Sequence, residues 1–431
     1  MTGFFRQDGR LTVEGLCLET IAEHYGTPLF VYSAAAVHSA WNAFCSQVAP
    51  AGSAVHFAVK ANSSLAILRL IANAGGGADI VSGGEMARAL AAGIEPQKIV
   101  FSGVGKTMTE LEAALAAGIG QINAESAAEL EMIAAAAATT GCPARVALRV
   151  NPDIHAATHS KIATGGSETK FGIAMADIPA LYERLEQHAA AGGLLVPAGL
   201  AIHIGSQIFD AASFESAYIL LRDLGLDLRQ RGYRVPALDL GGGIGVDYKN
   251  GKSADLAAIG KMIRQVFDGC DFNLGFEPGR VIIAEAGVLL TRVISIKQAA
   301  SKRFIITDAA MNDLIRPTLY EAYHRIETVG PAAAAAGPET RETENLPADI
   351  VGPVCETGDF LGLDRNLPAV AAGDLLAVLS AGAYGAVMRS SYNTRPPAAE
   401  VLVLDGRAEL ISRRQTVQEL LELEMIPQVL R

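Results

Sequence analysis

Val55-His56-Phe57-Ala58-Val59-Lys60 is an apolar run of strand length that stops on a lysine, with Ala61-Asn62 directly behind it. Runs of the same kind recur along the chain, at 55–59, 78–81, 98–101, 121–124, 145–150, 200–204, 237–240 and 273–276. Each is strand length, and the stretches between them read as helices. Three of those helices announce their starts with capping boxes, Ser82 with Glu85, Thr107 with Glu110 and Ser126 with Glu129. Gly93, Gly118 and Gly141 supply left-handed stops. Eight strands alternating with helices over roughly 230 residues predict a (β/α)8, TIM-like barrel.

In such a barrel the C-terminal rim of the strands carries the chemistry. Lys60, Asp79 with Ser82, Ser102, Glu125, Asn151, His203, Gly241 to Gly243 and Glu277 all fall at or just past a strand end. Turns are polar in any protein, and that accounts for about half of these positions. It does not account for a lysine, a histidine and a glutamate at three separate strand ends.

From about Gly287 the pattern turns β-rich, through 288–296, 303–307 and 374–379. The stretches 400–404 and 408–412, joined across Asp405-Gly406, read as a hairpin. The expected organisation is a barrel over 33–287 and a mostly β C-terminal domain over 288–431, joined by residues 1–32. Residues 331–347, with five consecutive alanines, read as a loop.

Composition narrows the function classes. The chain has 431 residues, half of them hydrophobic, and a formal charge of -11, which argues against a nucleic-acid partner. It contains no apolar stretch of the ~18 residues that a membrane span needs. Five cysteines without CxxC spacing fit free thiols in a reducing, cytoplasmic setting rather than a disulfide frame or a zinc site.

Taken singly, the candidate residues are ambiguous. A lone lysine is usually a solvated surface group, but Lys60 ends a strand expected to be buried, and burial favours the free amine that forms an imine. Gly241-Gly242-Gly243 can converge backbone N–H groups on an anion, or can simply make a tight turn. Glu277, in Glu277-Pro278-Gly279-Arg280, can pair with a pyridine nitrogen or merely open a helix, and the Arg280 fork can meet a phosphate or carboxylate. His203 can face a flat cofactor or be a satisfied core histidine. Ser206 can donate to a phosphate or cap a helix. Cys355, beside Glu356, can be an inert thiol or a proton donor. Together, an imine-forming lysine, an anion cradle and an acid beside an arginine are the parts of a pyridoxal-phosphate site.

The chain resembles the diaminopimelate decarboxylases, fold-type III pyridoxal 5'-phosphate enzymes related to the ornithine and arginine decarboxylases and to alanine racemase. The resemblance runs over nearly the whole length. It rests on Tyr25-Gly26-Thr27-Pro28-Leu29-Phe30-Val31-Tyr32, Ala58-Val59-Lys60-Ala61-Asn62, Asp79 to Glu85, His203-Ile204-Gly205-Ser206-Gln207, the three glycines and Glu277 to Arg280. Arg316-Pro317-x-Leu319-Tyr320, Cys355-Glu356-x-Gly358-Asp359 and Gly382-Ala383-Tyr384 continue it. The segment 159–165, leading to Lys170-Phe171-Gly172, and the Arg316 stretch resemble the diaminopimelate branch. The extra arginine suits a substrate with a second carboxylate.

The resemblance implies that Lys60 holds the cofactor, with Asp79 beside it, and that His203 stacks on its ring. It implies that Glu277 pairs with the ring nitrogen and that Ser206, Gly243, Gly279 and Arg280 bind the phosphate. It assigns Arg280, Arg316, Tyr320, Glu356 and Tyr384 to substrate, Tyr384 also to cofactor, and Cys355 to proton donation. In the family, Cys355 and Glu356 enter from the other subunit, so a homodimer with shared active sites is implied. The expected reaction is decarboxylation of meso-2,6-diaminopimelate to L-lysine. Thr357 in place of a serine, Arg395-Pro396-Pro397 without a second arginine, and the alanine-rich 331–347 stretch depart from the family pattern. The competing readings are a decarboxylase of another basic amino acid (carboxynorspermidine, ornithine or D-lysine type) and a non-catalytic carrier of the cofactor. Racemisation is disfavoured, because that branch places an arginine where Glu277 stands.

Overall fold

The computed structural model describes residues 3–154, 169–250, 252–330 and 347–430. The segment 159–165 and all but the last residue of the 331–347 stretch lie outside the described residues. The chain divides into two compact units, one of His38–Asp247 with Lys252–Ile282, the other of Met1–Val37, Tyr248–Gly251 and Ile283–Arg431.

The first unit is built on eight parallel strands. They are β1 (Ala54–Ala58), β2 (Gly77–Ile80), β3 (Ile99–Phe101), β4 (Gln121–Ala124), β5 (Ala144–Asn151), β6 (Leu195–Ile202), β7 (Ala237–Asp239) and β8 (Asn273–Phe276). Each pairs in parallel with the next, and β8 pairs back to β1 through Gly275 opposite Ala54, so the sheet closes on itself. Every run identified from apolar patterning is a strand of this ring, which leaves no open edge. A register shift between Pro197 and Gly199 bends β6. Gly199 sits there at φ +133, and a Cβ would run into the Ala237 carbonyl oxygen, so the bend needs glycine.

The helix caps differ from one another. At Met108–Ala117 the expected box is complete, with Thr107 and Glu110 satisfying each other's backbone N–H, and Gly118 closes the helix in the left-handed conformation. At Gly83–Ala91 and Ala127–Thr140 only half of the box forms. Ser82 and Ser126 accept from the N3 backbone, but the glutamates turn elsewhere. Glu85 accepts from Val81 N–H at 2.8 Å, and Glu129 from Glu125 N–H at 2.6 Å and from the buried Lys106 ammonium at 2.9 Å. A buried cation outcompetes a single cap amide for a carboxylate. Gly141 is a left-handed stop as expected, whereas Gly93 stands one residue beyond the cap residue Ala92.

The second unit is a mixed β-sheet. Its path runs Phe360–Arg365, Ala348–Val351, Arg303–Thr307, Gly287–Gln298, Leu29–Ser33, Ala399–Leu404 and Arg407–Ser412, with Leu375–Val378 also pairing to Gly287–Gln298. The N-terminal strand Leu29–Ser33 lies inside this sheet, antiparallel to one neighbour and parallel to the other. That is why it reads as five buried residues in a row. The last two strands form the expected hairpin, and Asp405 and Gly406 both adopt positive φ, as its two-residue turn requires. Val31, Val288, Leu290, Ala377 and Val401 are fully buried in the core of this unit.

Candidate active site

The barrel unit places Lys60, Asp79, His203, Ser206, Gly243, Glu277, Gly279 and Arg280 at the C-terminal ends of its strands or in the turns just beyond them. Lys60 is not in the strand itself. It occupies a 3-10 turn (Val59–Ala61) past β1, with its side chain 35% exposed, so the burial expected of it is only partial. Its ammonium is instead held by the fully buried Asp79 of β2, at 2.7 Å. The second Asp79 oxygen, Oδ1, is buried without a hydrogen-bond partner. A one-sided carboxylate of this kind is set up to orient an amine and to accept from a further donor.

Glu277, one residue past β8, is 8% exposed. Its Oε1 accepts from Ser102 Oγ at 3.3 Å and from Asn123 Nδ2 at 3.4 Å. Burial holds this carboxyl well above the usual carboxylate range, and the charges of Asp239 and Asp79 push the same way. Burial also raises Asp239, whose carboxyl hydrogen-bonds to Glu277. Two buried carboxyls in contact disfavour double ionisation, so Glu277 is placed to share a proton with a basic nitrogen.

His203 is pushed well below its ordinary value by loss of water around the ring and then by the charges of Arg149 and Lys60. A neutral imidazole is a flat, uncharged face, suited to lie against a planar ring. Gly242 N–H donates to its Nδ1 at 3.3 Å, which fixes the tautomer with the proton on Nε2.

The glycine turn after β7 is a cradle that side chains would fill. A Cβ on Gly242 would run into the Glu277 carbonyl oxygen, and one on Gly243, at φ +106, into the Gly205 carbonyl oxygen. Across from it Arg280 Nη2 donates to Ser206 Oγ at 2.8 Å. A tight glycine turn, a hydroxyl and a guanidinium make an anion site, beside a lysine, an imidazole and a buried acid. These residues fit pyridoxal phosphate.

Two further groups in the barrel were singled out weakly or not at all from sequence. Arg149 on β5 donates to Glu125 Oε1 at 2.7 Å and lies over the Phe171 ring, and Gly172 N–H donates to Glu125 Oε2 at 2.9 Å. Asp239 lies on β7. The available signal was a charge inside an apolar run, as in Ala147-Leu148-Arg149-Val150 and Leu238-Asp239-Leu240. Such a charge points into the barrel and needs a partner there.

Arg316, Tyr320, Cys355, Glu356 and Tyr384 all belong to the second unit. Arg316 is 5% exposed, with its guanidinium 4.2 Å from the Tyr248 ring centroid. Its Nη1 donates to His324 Nε2 at 2.7 Å, while His324 Nδ1 donates to Leu379 O at 2.9 Å. Tyr320 ends the short helix Arg316–Tyr320, and Tyr384 is held at φ 56, a strained conformation for a tyrosine. Cys355 and Glu356 are exposed on a loop. That loop is pinned by Asp359, whose two oxygens accept from Met311 N–H and Val354 N–H, each at 2.7 Å. Thr318 donates to Gly358 O, tying the loop to the Arg316–Tyr320 helix.

A model of the pyridoxal-dependent decarboxylase pyridoxal-binding domain matches residues 34–284. The diaminopimelate decarboxylase of Zymomonas mobilis subsp. mobilis is 49% identical over 98% of both chains. Among solved structures, diaminopimelate decarboxylase from M. jannaschii superimposes with a TM-score of 0.91 at 32% identity, covering 100% of this chain and 99% of that one. The Helicobacter pylori diaminopimelate decarboxylase complexed with L-lysine gives 0.88 at 37% identity, covering 94% and 98%.

Proposed function

The chain belongs to the diaminopimelate decarboxylases, and from that premise we propose that it removes one carboxylate of meso-2,6-diaminopimelate, at the D-centre, to yield L-lysine. When bound, pyridoxal 5'-phosphate supplies the electron sink for the pair left as CO2 departs. The observation that carries the reading is the convergence at the barrel rim of Lys60 on Asp79, the buried Glu277 held by Ser102 and Asn123, and the Arg280–Ser206 anion site.

The remaining steps fall to side chains of this chain. Asp79 orients the Lys60 nitrogen, so that the amine presents one face. Glu277 holds a proton for the ring nitrogen, and Ser102 and Asn123 keep its other oxygen fixed. His203 stays neutral and excludes water from one face of the site. Ser206, Gly243, Gly279 and Arg280 anchor the phosphate.

In the second unit, Arg316 is aimed by His324 and braced on Tyr248, which suits a bidentate grip on the substrate's far carboxylate. Tyr320 and Tyr384 complete the substrate contacts. Glu356 supplies a negative charge for an ammonium. Cys355 Sγ delivers the proton that replaces the lost carboxylate. Family resemblance supports a homodimer in which Cys355 and Glu356 serve the partner's site. Five unpaired thiols support a cytoplasmic setting, and no helix among the described residues is long and apolar enough to cross a membrane.

The test is an absorbance spectrum of the purified protein followed by addition of meso-diaminopimelate. A cofactor band that borohydride abolishes, absent from Lys60→Ala, with lysine and CO2 formed in equal amounts, is the expected result. A band without lysine would move the substrate to another basic amino acid, and no band after cofactor addition would overturn the reading.

A further inference from the structure

Tyr392 and Asn393 stand close to Cys355 and Glu356 in the same unit, yet no role follows for them from the reaction as described. Tyr392 Oη donates to Glu356 Oε1 at 2.7 Å, and Cys355 N–H donates to Asn393 Oδ1 at 3.3 Å. Two consecutive residues thus hold two consecutive residues, one through a carboxylate and one through the backbone. They do so from a strained turn, with Asn393 at φ 56, ψ 27 and Thr394 also at φ 56. Asparagine is among the few side chains that tolerate this conformation. Non-glycine residues remain in such regions where the surroundings over-determine them, which happens preferentially at functional sites.

The cysteine loop is already fixed by Asp359 on Met311 and Val354. Those bonds fix the ends of the loop at Val354 and Asp359, whereas the hydrogen bonds from outside the loop to Cys355 and to the Glu356 carboxylate come from Asn393 and Tyr392. We propose that Tyr392 and Asn393 are positioning residues for the reaction, Tyr392 aiming the Glu356 carboxylate and Asn393 setting the backbone from which the Cys355 thiol projects. The inference rests on the roles given above to Glu356 and Cys355. The substrate amine at the reacting carbon is bound through the cofactor, so the ammonium left for Glu356 is the one at the far centre. Tyr392 therefore serves substrate recognition, and Asn393 serves proton delivery.

These two functions separate kinetically. Tyr392→Phe removes one hydroxyl and keeps the ring. It is expected to raise KM for meso-diaminopimelate roughly three- to tenfold with kcat held within about twofold. Its inhibition by 2-aminopimelate, which lacks the far ammonium, should match wild type. Asn393→Gly keeps the left-handed backbone accessible and deletes the acceptor. It is expected to lower kcat about tenfold with little change in KM. Glu356→Gln, measured alongside, separates this proposal from the reading beneath it. If Glu356→Gln raises KM and Tyr392→Phe does not, the positioning role is wrong and the assignment of Glu356 stands. If neither moves KM, the role of Glu356 fails and the proposal fails with it. Equal losses in kcat and KM together with a lowered melting temperature in both Tyr392→Phe and Asn393→Gly would show a merely structural turn and overturn the proposal.

Discussion

At the barrel rim each candidate side chain stands on a strand end or in the turn just past it. Half of them are buried, and Glu277 is held by hydrogen bonds from Ser102 and Asn123, on or beside two other strands. In the second unit the candidates stand on a short helix and on loops, with Arg316 buried against His324 and Tyr248 and with Cys355 and Glu356 exposed. The first arrangement is set by the register of a closed sheet. The second is set by a few side-chain bonds, so small substitutions should retune it without touching the fold. On the proposed assignment, the barrel holds the cofactor and the second unit selects and protonates the substrate.

Substitutions can break that division. The largest effect is expected from Lys60→Ala, which should cost about a thousandfold or more in turnover and remove the cofactor band. Retained covalent cofactor in this variant would end the assignment of the barrel rim. Cys355→Ser should lower kcat by roughly a hundredfold through poorer proton delivery, with the cofactor spectrum unchanged. A spectrum altered as much as in a barrel variant would blur the two roles into one.

Buried acids occur in both units, and Asp313 of the second unit tests whether one there carries a stability cost. Burial pushes its carboxyl from the usual 3.8 up to about 6. A raised acid favours folding fully below the unfolded value of about 4, and that contribution is lost as pH rises through about 6. Asp313→Asn should therefore be more stable than wild type at pH 8, by roughly 2 to 3 kcal/mol, with the gap vanishing near pH 4. Melting temperatures across that range would show it, and a gap that does not change with pH would refute it. The smallest effect concerns the caps. Thr107→Ala should cost about 1 kcal/mol in chemical denaturation. Ser126→Ala should cost less, because Ser126 caps only the Glu129 N–H, whereas Thr107 also donates to the Glu110 carboxylate. Equal costs would mean that the complete and half-formed boxes are equivalent.

The same contrast explains what could be read from the sequence. The eight strands were legible because a closed parallel sheet buries whole runs, and the rim residues because they follow those runs directly. The complete box at Thr107 was legible too, whereas those at Ser82 and Ser126 look the same in sequence and differ because Glu85 takes the neighbouring Val81 amide and Glu129 takes the Glu125 amide and Lys106. Lys60 was expected to be buried and is partly open, since a residue beyond the strand escapes the sheet's burial pattern. In the second unit Arg316, Tyr320 and Tyr384 were recognisable only through family resemblance, and Cys355 beside Glu356 stayed ambiguous without it. Only Arg316 and Tyr320 share an element, a five-residue helix too short to show a periodic pattern in sequence. Tyr392 and Asn393 carried no signal, because contacts made by irregular turns leave no periodic trace.

The strand Leu29–Ser33 pairs with Gly287–Gln298 and Ala399–Leu404, partners that lie beyond the entire barrel in the chain. On a ribosome adding about 5–20 residues per second, that strand waits roughly ten to fifty seconds for its first neighbour. During that time five successive apolar-rich positions have nothing to pair with. Closure of the barrel ring is what shortens the chain separating them, because β8 returning to β1 removes most of the intervening contour. Connectivity thus favours an order in which the ring closes before the N-terminal strand meets its partners. A variant slow to close its barrel would declare itself first as aggregation through the N-terminal strand, while the finished enzyme remained as stable as before.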